Sequence, residues 1–202
     1  MRHNIAILGL PRSGKTTKAR EMFINFAGSS IFINTQNENY FDIEGITNIR
    51  DFKQWNPAIR RCVISPDNRA DLMAFIDKLF ANQQKSKSQI QPIRIIIDEI
   101  FHYQNSQDDK YRLQKLVVDG LRWNIQTIIT AHMPTMVDSK IYKNIHLYYF
   151  FELNNAIYDY FKKTWRIDLF PFSQYLSEPG KYHYILYDMR RFYKSGDAIA
   201  KK

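Results

Sequence analysis

The sequence predicts an α/β fold, a mostly parallel sheet covered by helices on both faces. Three observations carry this. Strand-length apolar runs alternate with helical patterns along most of the chain. One run, Ile93–Ile97, is β-branched and apolar except for Arg94, the composition of a central strand buried on both sides. A glycine-containing turn joins the first apolar run to the first helix. The 202 residues suffice for one such domain and are short for two.

Element by element, Ile5–Leu8 reads as a buried strand. Lys15–Phe26 reads as a helix with Ala19, Met22, Phe23 and Phe26 at helical spacing. Ile31–Asn34 is a second strand, and the polar, irregular residues 35–60 a long loop. Arg61–Ser65 is a third strand. In Asp71–Phe80, Leu72, Phe75, Ile76, Leu79 and Phe80 share one face, so this is a helix, followed by a polar loop over 82–92. Ile93–Ile97 is the fourth strand. Lys110–Trp123 is a helix with Leu113, Leu116, Val117 and Leu121 inward. Gln126–Ala131 and the aromatic Ile145–Leu153 are strands, Ala156–Trp165 a helix and Tyr182–Asp188 a final strand. Residues 142–202 hold 17 of the 30 aromatics, which sets them apart in composition. The reading is therefore a single domain, 1–202, with a core of about 4–153 and an aromatic-rich C-terminal elaboration of about 154–202. Aromatics are more often core than contact residues, so the elaboration is expected to complete the fold rather than to dock on a partner.

Composition removes several classes. A lone cysteine, Cys62, excludes an internal disulfide and a cysteine-based zinc site. The five histidines show no metal-ligand spacing. No stretch approaches the roughly 20 apolar residues of a membrane span, so the chain is expected in the cytoplasm. The net charge of +9 favours a polyanionic partner, nucleic acid or an anionic membrane surface.

The chemistry begins at Gly9-Leu10-Pro11-Arg12-Ser13-Gly14-Lys15-Thr16, a full match to G-x-x-x-x-G-K-[ST] between a strand and a helix. Such a loop wraps phosphates in backbone N–H groups, with glycine where a side chain would collide, and the helix N-terminus adds partial positive charge. Lys15 would reach the β- and γ-phosphates of ATP, the Thr16 hydroxyl would ligate Mg²⁺, and Thr17 would close the nucleotide-binding set. The chain thus reads as a three-layer P-loop NTPase. The fourth strand ends in Asp98-Glu99. Beside a phosphate loop, the first carboxylate holds Mg²⁺ and the second polarises the attacking water as general base. Gln126–Ala131 runs into His132, so Thr130 or His132 is placed to sense the γ-phosphate or position water. Arg122 precedes that strand. In a ring it would serve as an arginine finger toward a neighbour, with Arg112 and Arg166 as rivals and a solvated helix-end arginine as the plain alternative.

The loop Gly9–Thr16, the Ile-Ile-Ile-Asp98-Glu99 strand and the segment from Arg122 to His132-Met133-Pro134, over roughly residues 4–153, together resemble the FtsK–HerA superfamily. Within it the short chain resembles the genome-packaging ATPases of double-jelly-roll viruses. The resemblance implies a RecA-like core and a homo-oligomeric ring, a hexamer. It further implies ATP-driven translocation of DNA into a preformed capsid, capsid or vertex proteins as partners, and a place in the host cytoplasm or on the virion. That family commonly carries Thr-Gln-x-Pro where this chain has Ala131-His132-Met133-Pro134, so His132 replaces the glutamine. DNA would be held by its phosphates. Pore-loop candidates are Lys110 and Arg112 in 104–112, and Lys85 and Lys87 in 82–92. Alternatives from the residues are a phage assembly or export ATPase resembling the zonula-occludens-toxin group, a small-molecule nucleotide kinase, and a scaffold that binds ATP without hydrolysis.

Overall fold

The computed structural model describes residues 3–34, 44–65, 71–85, 91–179, 181–188 and 191–194. The strands are β1 (Ile5–Leu8), β2 (Ser29–Ile33), β3 (Thr47–Ile49), β4 (Arg61–Ile64), β5 (Ile93–Ile97), β6 (Ile125–Ala131), β7 (Leu147–Phe150), β8 (Ile185–Tyr187) and β9 (Phe192–Lys194). Among the described residues they form one sheet in the order β3-β4-β2-β5-β6-β1-β7-β8-β9. The first seven run parallel; β8 and β9 are antiparallel additions at one edge. β6 lies between β1, which carries the phosphate loop, and β5, which carries the acidic pair.

Period-two alternation sorts the side chains into two layers of core. Ile5, Ile7, Phe32, Val63, Ile96 and Ile128 face α1 (Lys15–Ile24), which contributes Ala19 and Phe23. Leu8, Ile31, Ile33, Ile95, Ile97 and Ile129 face the other way. There they meet α2 (Asp71–Lys85), α3 (Gln107–Asp119), α4 (Ser139–Tyr142), α5 (Asn155–Tyr160) and α6 (Ser173–Leu176). The expected three-layer α/β architecture is present.

Several boundaries differ from the sequence reading. The first helix ends at Ile24, not Phe26. The helix from Asp71 continues through Lys85, so the start of the expected 82–92 loop is helical. The stretch 35–60 contains strand β3 and a 3₁₀ turn at Phe52–Gln54, while 35–43 lie outside the described residues. α3 starts at Gln107, three residues early, because Ser106 and Asp109 form a reciprocal capping box, and it gives way to a 3₁₀ turn over Gly120–Trp123. The expected pore loop 104–112 is therefore mostly helix. Lys110 and Arg112 lie on it, and Arg112 is bound to Asp108 (2.9 Å) and to Asp77. Lys87 lies outside the described residues. α5 passes into a π-turn at Phe161–Trp165. The last expected strand shrinks to Ile185–Tyr187 and is joined by β9.

Candidate functional site

Leaving β1, the chain turns sharply and fills the space that glycine leaves. A Cβ on Gly9 would stand 2.7 Å from both Phe151 Cβ and Ser13 Oγ. The Leu10 N–H donates to the Glu152 carbonyl (2.8 Å) and the Gly9 N–H to that of Ala131 (3.3 Å), which ties the loop to the ends of β7 and β6. Arg12 (φ 63°) and Gly14 (φ 100°) take left-handed backbone, so the loop curls back on itself before α1 starts. Gly14 offers α1 no side-chain cap and the first turn carries no acid, leaving the helix N-terminus its positive end. Lys15 is 5% exposed and donates to the Leu10 carbonyl at 2.9 Å. Burial pushes its ammonium below the usual lysine range, and Glu99 and Asp98 pull it part of the way back. A triphosphate beside it would favour the charged form further.

Beside the loop, Asp98 and Glu99 follow β5. Glu99 is itself left-handed (φ 49°), which swings its carboxylate out of the strand path toward the loop. A short chain of hydrogen bonds fixes it. The Glu99 N–H donates to Thr130 Oγ1 (2.9 Å), and that hydroxyl donates to Asp98 Oδ1 (2.5 Å). Glu99 Oε2 accepts from the His132 N–H (3.0 Å) and lies 3.0 Å from His132 Nδ1, whose proton a carboxylate partner requires. Glu99 Oε1 is 3.8 Å from Lys15 Nζ. The imidazole packs edge-on against Phe101, with ring centroids 4.9 Å apart.

Loop and acids border a cleft of about 690 Å³, lined by Lys15, Thr16, Thr17, Glu99 and His132. Its size suits a nucleoside triphosphate. Mg²⁺ takes oxygen donors and keeps waters and substrate phosphates as its other ligands, so one hydroxyl and one carboxylate suffice. Thr16, which lines the cleft, and Asp98, with one oxygen fixed by Thr130, match that donor set.

The structure thus brings together Gly9–Thr17, Asp98, Glu99 and His132. It alters one expectation: Thr130 is fully buried and braces both acids from below, so it holds the site rather than touching a γ-phosphate. Arg122 is not among the residues brought together. It lies exposed in the turn that enters β6, whereas the cleft is at the exit of that strand. Seven residues of strand, roughly 20 Å, separate the two. Arg122 therefore cannot reach its own chain's nucleotide. Arg166, also exposed, closes the π-turn. Sequence reasoning missed Tyr182, which lines the cleft from beyond β7. Its signal, an aromatic at every second position over 182–184, was merged into a longer strand.

No family model and no curated protein matches the sequence. Solved structures do. The genome packaging NTPase B204 from Sulfolobus turreted icosahedral virus 2, in complex with ATP-γ-S, superposes with a TM-score of 0.72 at 14% identity, covering 95% of this chain and 96% of that one. B204, the DNA-packaging ATPase from Sulfolobus turreted icosahedral virus, gives 0.70 at 17% identity with the same coverage. This chain shares its fold with these two proteins. The fold is also that of EssC (ATPases 2 and 3) from Geobacillus thermodenitrificans, with a TM-score of 0.62 at 14% identity over 98% of this chain and 41% of that one. The packaging-ATPase match extends past β7, so the aromatic tail lies inside the shared architecture.

Proposed function

We propose that this chain is an ATPase of the FtsK–HerA superfamily that translocates DNA, packaging a viral genome into a preformed capsid. One observation carries the hydrolytic half: the Glu99 carboxylate is swung out of its strand and stands 3.8 Å from the buried Lys15 ammonium, both lining one nucleotide-sized cleft. In this reading Lys15 leaves the Leu10 carbonyl for the β- and γ-phosphates of ATP, and the N–H groups of 9–17 wrap the chain of phosphates. Thr16 and Asp98 would hold Mg²⁺, which would supply neutralisation of phosphate charge. Glu99 takes the proton of the attacking water, and His132 keeps its carboxylate aimed and senses the γ-phosphate. Arg122, remote from its own cleft, serves as a finger only in a neighbour's site, which fits a ring. We further infer that residues 1–202 act as a single domain, in the host cytoplasm or on the virion, with DNA bound through its phosphates and capsid or vertex proteins as partners. The +9 charge supports the DNA partner, and the similarity of fold to viral packaging ATPases supports the task.

The test is ATPase turnover against added DNA, with assembly size measured in the same buffer. Stimulation by DNA that fades steeply as salt rises is expected, and Glu99→Gln should lower turnover by about 10²–10⁴-fold while nucleotide still binds. Turnover indifferent to both duplex and single-stranded DNA at low salt would remove the translocase.

A further inference from the structure

The aromatic tail crosses the mouth of the nucleotide cleft. Lys181 and His183 turn to one side of the extended segment, where Glu178 holds both, at 2.5 Å and 2.8 Å, and His183 stacks on Tyr175 with centroids 4.1 Å apart. By alternation Tyr182 and Tyr184 turn to the other side, onto the start of α1. Tyr184 lies over the Lys18 ammonium at 5.0 Å and packs against Phe151. One helical turn back, Tyr182 rests on Gly14 so closely that a Cβ there would stand 3.0 Å from its own Cβ. Tyr184 is largely covered, but Tyr182 is 68% exposed and lines the cleft together with Thr17 and Arg20.

Phosphates bound by 9–16 would leave the nucleoside to the rest of the same cleft, whose lining includes Thr17, Arg20 and Tyr182. We propose that Tyr182 is the platform on which the nucleobase of the substrate stacks, which gives the C-terminal elaboration a direct part in substrate binding. A ring face takes any base. Stacking alone sets no preference between bases, so the substrate class is nucleoside triphosphates rather than ATP alone. This rests on the reading of the cleft as a nucleotide site.

Calorimetric binding of ATP, GTP and inorganic tripolyphosphate to the full chain and to Tyr182→Ala, Tyr182→Phe and Tyr182→Trp tests it. Tyr182→Ala should weaken ATP and GTP by about tenfold and leave tripolyphosphate unchanged, because only the base is lost. The two aromatic variants should retain wild-type affinity, and ATP and GTP should bind the wild type within about tenfold of each other. Equal weakening of ATP and tripolyphosphate by Tyr182→Ala would overturn the proposal, reducing Tyr182 to a support for the loop at Gly14. Unchanged ATP affinity would overturn it too. A wild-type chain that binds neither ligand would instead overturn the nucleotide-site reading.

Discussion

Glu99 occupies a conformation that a glutamate adopts only under constraint. Left-handed backbone costs a non-glycine residue roughly 1–3 kcal/mol. The surrounding bonds oppose that cost: one hydroxyl, Thr130, accepts from the strained Glu99 N–H and donates to Asp98. Thr130→Val keeps the shape, removes both bonds and leaves buried partners unsatisfied. It should destabilise the fold by about 1–3 kcal/mol and lower turnover more than it raises KM for ATP. Urea melts with steady-state kinetics on one preparation check both. Thr130→Ser, which keeps the hydroxyl, should recover most of the turnover. Asp98 and Glu99 were legible because they end a β-branched strand that is apolar except for Arg94. The brace was not, because a threonine on the neighbouring strand gives no sign of which side chain it meets until register pairs β5 with β6.

α1 shows how an element can be completed by residues far away in sequence. It carries no basic residue in its last turn. Three arginines from the entries of two strands supply the missing charge. Arg94 donates to the Met22 carbonyl (2.5 Å), Arg61 to that of Ile24 (3.0 Å), and Arg60 to that of Ala27 just beyond the helix (2.9 Å). Cations at this end complement the helix dipole, while the other end faces the cleft. Arg94 also donates to Gln126 (2.7 Å) and lies 4.3 Å over the Phe26 ring. Burial lowers its pKa to about 10, still leaving it charged at neutral pH. Arg94→Met should cost about 1–3 kcal/mol of stability, read as a lower urea midpoint at unchanged slope. In the sequence Arg94 looked like an interruption of an apolar strand; its role needed the packing of β5 beside α1. By contrast, β1, the loop and α1 were legible because apolar run, motif and helical spacing fell in one order. β3 and β9 were not, because three-residue strands carry too little alternation to read. The start of α3 hid in a polar run where Ser106 and Asp109 cap each other.

For the molecule as a whole, the sheet buries its one thiol. Cys62 in β4 is fully covered, and burial pushes its pKa from an ordinary value near 9 to about 12. The fold thus favours the neutral thiol. Its contribution to stability is complete below about pH 9 and is lost as pH rises toward 12, because the unfolded chain ionises first. Wild type should lose more stability than Cys62→Ala between pH 8 and pH 10.5 in urea titrations. A thiol reagent at neutral pH should label Cys62 only as fast as the chain opens. The overall architecture was legible from alternation alone. The topology that places β6 between the loop and the acids was not, since nothing local states which strands become neighbours.

That strand order also governs assembly on the ribosome. Among the described residues β1 pairs with β6 and β7 alone, whose partners begin at Ile128 and Leu147, more than 120 residues downstream. At about 5–20 residues per second, the opening strand waits on the order of ten seconds during synthesis for its neighbours to emerge. The turn that leads from β1 into α1 is therefore among the earliest parts translated and among the last to be set in place.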